Sequence, residues 1–375
     1  MYTRLAIYFL TLTLGLSAQA LASDGHESHG DEHTHEEAFN PSNFIIHHIA
    51  DAHDIHLWGE GHSAVHIPLP VIVYSEEHGL DVFMSSAFEG HGDVRTAQRG
   101  DATYELSHGH ISLASPGSHA HDHGDSDHAD HEHHGPKVYD LSITKSIFGM
   151  LVMLGLMVLL FGRMAKSYRS RPGQAPTGLT NALEPLVLFL RDEIAIPNIG
   201  AKKADKFLPF LLSVFFFIFF ANLLGLIPFI GGFNVTGTLG ITMVLAAFVF
   251  LLTTLNGNKH YWGHLFWPPG VPLFVMPIII PIEIVGMFLK PIVLMIRLTA
   301  NISAGHIIIL SFVSLILIFG KGGDAMAAGY GIGVFSTAFM IFMYCLELLV
   351  AFLQAFVFTL LAAIYFGEAT HEAHH

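Results

Sequence analysis

A single cysteine, Cys345, occurs in 375 residues, so no intramolecular disulfide can form and the redox compartment is not readable from cysteine pairing. Its apolar neighbours suggest a packed, inert thiol. Charge is also scarce: Asp, Glu, Lys and Arg make up 13% of the chain against 52% hydrophobic residues, where soluble domains carry about 25% charged residues. That shortage, with a positive mean hydropathy, excludes an ordinary soluble domain and points to a multi-pass membrane protein. No Gly-Lys-Ser/Thr phosphate loop is present, so the chain is expected to bind no nucleotide. Neither a cofactor nor a nucleic-acid partner is expected. The net charge of -14 is not a property of the whole chain, because most acidic residues lie before position 136, interleaved with histidine. The remainder is nearly balanced.

What is present begins with "MYTRLAIYFLTLTLGLSAQALASDGHE": one arginine, a short apolar stretch, then Ala20-Leu21-Ala22, a small-x-small cleavage pattern. Residues 1–22 read as a secretory signal peptide, the competing reading being a short first transmembrane helix. Two tracts, 23–38 and 117–135, are built from His, Asp, Glu, Gly and Ser, with too little apolar surface to form a core. They read as solvating linkers or, alternatively, as weak metal or proton buffers. Between them, "HIPLPVIVYSEEHGLDVFMSS" and "ATYELSHGHISLAS" alternate enough to predict a small β-rich module. Residues 23–136 are therefore expected to form an exported region, and 137–375 the membrane domain.

The membrane domain reads as about five helical spans of roughly 20 residues. The first begins near Leu141 and is followed by Arg163, Lys166, Arg169 and Arg171, which places that flank in the cytoplasm. "TNALEPLVLFLRDEIAIPNIG" predicts an amphipathic helix on the same surface. A hairpin of two spans ends in a loop carrying Lys259 and His260. Two long apolar runs, Pro277 to Phe319 and Val334 to Phe366, flank the turn "GKGGDAMAAGYG". A helix of about 43 residues would measure roughly 64 Å against a hydrocarbon core of roughly 30 Å, so a slanted antiparallel pair is expected. Pro277, Pro281 and Pro291 are candidates to bend its first member.

Ionisable residues inside such runs are costly, roughly 2.5 to 3.5 kcal/mol at mid-bilayer on insertion scales, and default to functional or paired roles. Glu283, Lys290 and Arg297 recur at seven-residue spacing and form one stripe, with Glu283 nearest the cytoplasm. His306 lies about 13 Å beyond Arg297 on roughly the opposite face. On the last helix, Glu347 precedes Gln354 by seven residues. Antiparallel packing then predicts two rungs: Arg297 level with Gln354, and His306 level with Glu347. An acid and an imidazole in apolar surroundings can relay protons, whereas arginine stays charged and acts only as a fixed cation. Asn222 is a further polar group on the path or a helix-helix contact, and Glu283 and Lys290 are path residues or interfacial side chains.

"LKPIVLMIRLTANISAGH", "FLQAFVFTLLAAIYFGEA" and "FANLLGLIPF" together resemble subunit a of the F-type ATP synthase membrane sector over about residues 140–370. The resemblance implies that Arg297 faces a rotating ring of c subunits and separates two offset proton half-channels, supported by Asn301 and Gln354. It also implies b-type stator subunits and the lipid bilayer of the cell inner membrane as partners; counting spans from the cytoplasmic basic flank puts the N-terminus outside and the C-terminus in the cytoplasm. Well-known bacterial members carry Glu where this chain has His306 and His where it has Glu347, an exchange that keeps one acid and one imidazole on the rung. Some relatives carry an acid at the place of Gly225. The alternatives are a His-rich divalent-metal transporter, which needs clusters of intramembrane ligands, and a metal-binding module on an inert anchor, which would not need Arg297.

Overall fold

A computed structural model of the protein describes residues 51–58, 65–90, 94–107, 109–114, 138–170, 177–227, 233–267, 274–320 and 326–370, with 172, 174, 175 and 272. The expected signal peptide and both His-rich tracts lie outside the described residues.

The expected β-rich module is formed by eight strands in three antiparallel sheets. β1 (Asp54–Trp58) pairs with β2 (Val65–Pro68). β3 (Pro70–Ser75) is flanked by β4 (Gly79–Met84) and β8 (Val138–Asp140), and β6 (Ala102–Ser107) by β5 (Val94–Arg99) and β7 (His110–Leu113). Period-two alternation does the folding: Val71, Val73 and Ser75 point inward from β3, and Ala102, Tyr104 and Leu106 from β6. The two three-stranded sheets share one core, in which the Phe83 and Tyr104 rings lie 5.8 Å apart. Tyr104 is fully buried and its hydroxyl donates to Asp81 Oδ2 at 2.6 Å, so the polar tip inside this core is satisfied. Burial, then the Asp81 bond, pushes its pKa up to about 12. The tight β5–β6 hairpin turns through Gly100, whose φ of +55° favours glycine.

The module is fastened to the first helix, α1 (Lys145–Ser170). The Lys145 amide donates to the Ala52 carbonyl at 2.8 Å, and the Ser146 amide to Asp51 Oδ1 at 3.0 Å, satisfying two of the helix's first amides. Beside them, buried His53 meets Asp140, Nε2 to Oδ2, at 2.9 Å. Burial works against the Asp140 carboxylate, but hydrogen bonds from His53 and Ser142 outweigh it and hold its pKa below the usual value. Ile55 and Leu69 extend from the module into the same buried cluster as the helices.

The helical part continues with α2 (Leu179–Phe189), a π-helical segment (Leu190–Ala195) and α3 (Ile196–Ile199). Leu183, Leu190, Ile194 and Ala195 are buried while Arg191, Asp192 and Glu193 are exposed, as an amphipathic helix requires. Next come α4 (Ala201–Gly225), α5 (Leu239–Leu255) and α6 (Lys259–Phe266). Last are α7 (Met276–Gly320) and α8 (Met326–Thr370), of 45 residues each. Among the described residues four helices are long and apolar enough to cross a membrane, and a fifth span arises if α5 and α6, bent by 101°, count as one.

α7 and α8 pack along each other in opposite senses, since Lys290 meets Glu368 while Phe312 meets Phe339. At about 68 Å each, they far exceed the hydrocarbon thickness, in line with a slanted pair. α8 presents Ala351, Ala355, Phe358, Ala362 and Phe366 toward α4, a helical spacing of mostly small residues that lets backbones approach. Phe366 stacks on Phe207 at 4.8 Å. The end of α8 is capped: Lys203 Nζ and Asn258 Nδ2 donate to the Thr370 carbonyl at 2.7 and 2.8 Å.

Three sequence expectations change. The segment of Lys259 and His260 is a short helix rather than a loop. α8 starts at Met326, because "MAAGYGIG" continues the helix instead of forming the turn; its alanines favour a helix and its glycines only weaken one. Cys345, expected to be packed, is exposed; apolar neighbours describe a lipid-facing surface as well as a core.

Candidate functional site

Two small cavities lie along the α7–α8 pair, each lined by a few polar groups among apolar ones. The first gathers Asn222 from α4, Asn301, Ile302 and His306 from α7, and Glu347, Val350 and Ala351 from α8. Four of the polar residues singled out in the sequence thus share one space. Asn222 is buried; its Nδ2 donates to the Ala351 carbonyl at 3.3 Å and its Oδ1 accepts from Thr236 Oγ1 at 2.5 Å. Both ends of the amide are used, so α4 is pinned to α8 and to the segment before α5.

Glycine makes room for the acid and the imidazole. The backbone of Gly305 lies against the Glu347 carboxylate, and a Cβ there would overlap Oε1. A Cβ on Gly225 would lie 3.0 Å from the Phe233 carbonyl oxygen and 3.5 Å from His306 Nε2. The imidazole therefore occupies the space into which a side chain at position 225 would project. Glu347 Oε2 is buried with no hydrogen-bond partner among the described residues.

The second cavity lies toward the other end of the pair and is lined by Thr253, Tyr261, Met287, Lys290, Tyr365 and Glu368, with neighbouring apolar groups. Lys290 Nζ is 2.6 Å from Glu368 Oε2 and lies 5.0 Å above the Tyr365 ring. The pair is about half exposed, so its net contribution to stability is about 0 to 1 kcal/mol. Its interest is positional.

Arg297 stands between the two cavities on α7, seven residues after Lys290 and four before Asn301, so about 10 and 6 Å along the axis. It is exposed and, among the described residues, makes no hydrogen bond or ion pair. Gln354 is buried on α8 and shares no hydrogen bond with Arg297. Glu283 is exposed one stripe position before Lys290.

Tyr365, Glu368, Tyr261, Thr236 and Gly305 were not singled out as site residues from the sequence. Glu368 stands in the quoted "FGEA" string, and a cation at Lys290 on the facing helix is the signal that could have found it. Gly305 had no signal beyond its place beside His306.

The fold is that of a multi-pass helical membrane protein, with an exposed arginine on the long helix pair between two small cavities. Residues 147–367 match the ATP synthase A chain family, more than half of the chain. The chain belongs to that family and is part of an ATP synthase complex. It is 43% identical over 255 residues to ATP synthase subunit a of Pelodictyon phaeoclathratiforme, covering 65% of this chain and 72% of that one. It is 43% identical over 246 residues to that of Chlorobium phaeobacteroides, covering 63% and 68%. To that of Myxococcus xanthus it is 42% identical over 243 residues, covering 63% and 75%. Residues 44–141 match a separate family described as a domain of unknown function. The metal-transporter reading finds no support: among the described residues no three His, Cys, Asp or Glu side chains gather as a metal group.

Proposed function

We propose that the two cavities are the half-channels of a proton path interrupted at Arg297. The observation that carries this reading is their placement: polar groups lie on either side of Arg297, an exposed cation with no ion pair among the described residues, on the same helix pair. A proton arrives from the extracytoplasmic side through the cavity of Asn222, Asn301, His306 and Glu347. It neutralises a carboxylate on the ring of c subunits, which carries it round by rotation. On return, the Arg297 charge lowers the pKa of that carboxylate and expels the proton. It leaves past Lys290, Tyr365 and Glu368 toward Glu283 and the cytoplasm. Gln354 supplies a buried polar group on the facing helix. The catalytic step of ATP synthesis takes place on another sector.

In the same reading, residues 1–22 are a cleaved signal peptide, 23–136 lie outside the inner membrane, and 137–375 form the membrane domain with its C-terminus in the cytoplasm. b-type subunits hold this chain stationary.

Gly305→Ala tests the path without altering a titratable group. Its Cβ displaces the Glu347 carboxylate, and misplacing a reacting group by about 1 Å costs up to about hundredfold. ATP-driven proton pumping in vesicles should fall about tenfold to hundredfold, with the subunit still assembled in the complex. Wild-type pumping by the assembled variant would contradict the proposal.

A further inference from the structure

We propose that a hydroxyl pair, Thr242 on α5 and Thr299 on α7, sets the rotation of α7 about its own axis and so turns Arg297 outward. This rests on the reading of Arg297 as the barrier between the two cavities.

A hydroxyl in an apolar helix ordinarily returns its hydrogen to the carbonyl four residues back on the same helix. Ser213, Thr253, Ser311 and Thr359 do so here, at 2.7 to 2.8 Å. Thr299 departs from that habit: its Oγ1 lies 2.7 Å from Thr242 Oγ1 on a different helix. Thr242 is fully buried and donates to the Leu239 carbonyl at 3.0 Å. Its one hydroxyl hydrogen is thereby used, so Thr299 donates across the gap and Thr242 accepts.

Helix geometry links this bond to the arginine. Successive residues turn by about 100°, so Thr299, two residues after Arg297, projects about 200° round from it, on nearly the opposite side. A Thr299 side chain held against α5 therefore leaves Arg297 directed away from α5. Burial agrees: Thr299 is half-buried, Leu294 and Leu298, which lie between the two round the helix, are buried, and Arg297 is exposed.

α5 is itself held in place. Thr238, the residue before its first turn, has its Oγ1 2.8 Å from Oγ of buried Ser146 on α1. Further along, Phe250 of α5 meets Phe288 of α7 with ring centroids 5.3 Å apart. Ring pairs are attractive over a broad range of separations, whereas a hydrogen bond weakens steeply off line. The hydroxyl pair is thus the directional part of the contact between α5 and α7. Side chains reach about 5 to 6 Å from a helix axis, so turning α7 by about 10° moves that rim by about 1 Å. A shift of that size costs up to about hundredfold where a reaction depends on placement. Thr242 and Thr299 are positioning residues, acting through Arg297.

The whole ATP synthase in membrane vesicles is assayed for ATP-driven pumping and for passive proton conductance, each normalised to assembled complex. Thr299→Val replaces the hydroxyl by a methyl group of similar size. It should lower pumping about tenfold and raise the ratio of conductance to pumping at least as much, since the barrier is misplaced with the charge. Thr299→Ser keeps the hydroxyl and should retain most of the activity. A contact that only fills space predicts the reverse order, because valine fills it and serine does not. Thr242→Val removes the same bond from the other side, and combining it with Thr299→Val should add little to either loss. Where Thr299→Val does not assemble, Thr242→Val against Thr242→Ser makes the same comparison. An assembled Thr299→Val complex with wild-type pumping and conductance, serine as impaired as valine, or losses that multiply in the double variant, overturns the positioning role. Arg297→Ala is the control for the underlying site. If it pumps normally, the barrier reading itself falls; if it is inactive while Thr299→Val is silent, only the positioning role falls.

Discussion

Arg297→Ala is expected to abolish ATP-driven proton pumping in membrane vesicles while passive proton leak through the membrane sector persists or rises. A cation within about 4 to 6 Å lowers a carboxylate pKa by about one to three units. Losing it slows proton release from the ring by about tenfold to thousandfold. In the proposed reading the same cation keeps protons from crossing directly between the two cavities, which α7 brings to within about 16 Å of each other along its axis, Lys290 to Asn301. Arg297→Lys keeps the charge but loses the delocalised, always-protonated fork. It should recover part of the barrier and little of the pumping. Pumping measured beside passive conductance separates the two effects.

The second large effect is expected from exchanging His306 and Glu347. Both line one cavity, with Gly305 leaving room for the acid and Gly225 for the imidazole. His306→Glu alone places two carboxylates in that space, and like charges disfavour ionisation of both. Glu347→His alone leaves it without an acid. Restoring one of each in the double exchange should recover activity, with an interaction energy of about 1 to 3 kcal/mol relative to the single changes. That corresponds to about fivefold to over hundredfold in pumping rate. Losses that simply add would show that the two residues act independently.

The parts of this site legible in the sequence are those that violate their surroundings. Asn222, Arg297, His306 and Glu347 stand out because polar groups in apolar helices have few reasons to be there, and helical arithmetic brings the last two to one level; Asn301 was reached only through the family resemblance. The same arithmetic placed Arg297 level with Gln354, and in the structure the two share no hydrogen bond. The offset between two long helices is set by packing, here Lys290 against Glu368 and alanines against α4, and no local pattern encodes it. Hydropathy identified the spans but not their outward faces, which is why Cys345 was assigned to the interior. Gly305 was silent because a glycine's use is the space it leaves, and that space is defined by Glu347, forty-two residues along the chain. The helical start of α8 was hidden by glycines that usually signal turns but are tolerated where a long partner helix supports them.

The central claim, two cavities that open to opposite sides and do not meet, is tested most directly by sided thiol chemistry. With Cys345 replaced by serine, Ile302→Cys reports on the first cavity and Met287→Cys on the second. Silver ion, which does not cross the bilayer, is added to one side of sealed vesicles and proton pumping is followed. The account predicts that Ile302→Cys is inhibited only from the side of the β-rich module and Met287→Cys only from the opposite side. Inhibition of either variant from both sides alike, or from the wrong side, would contradict it.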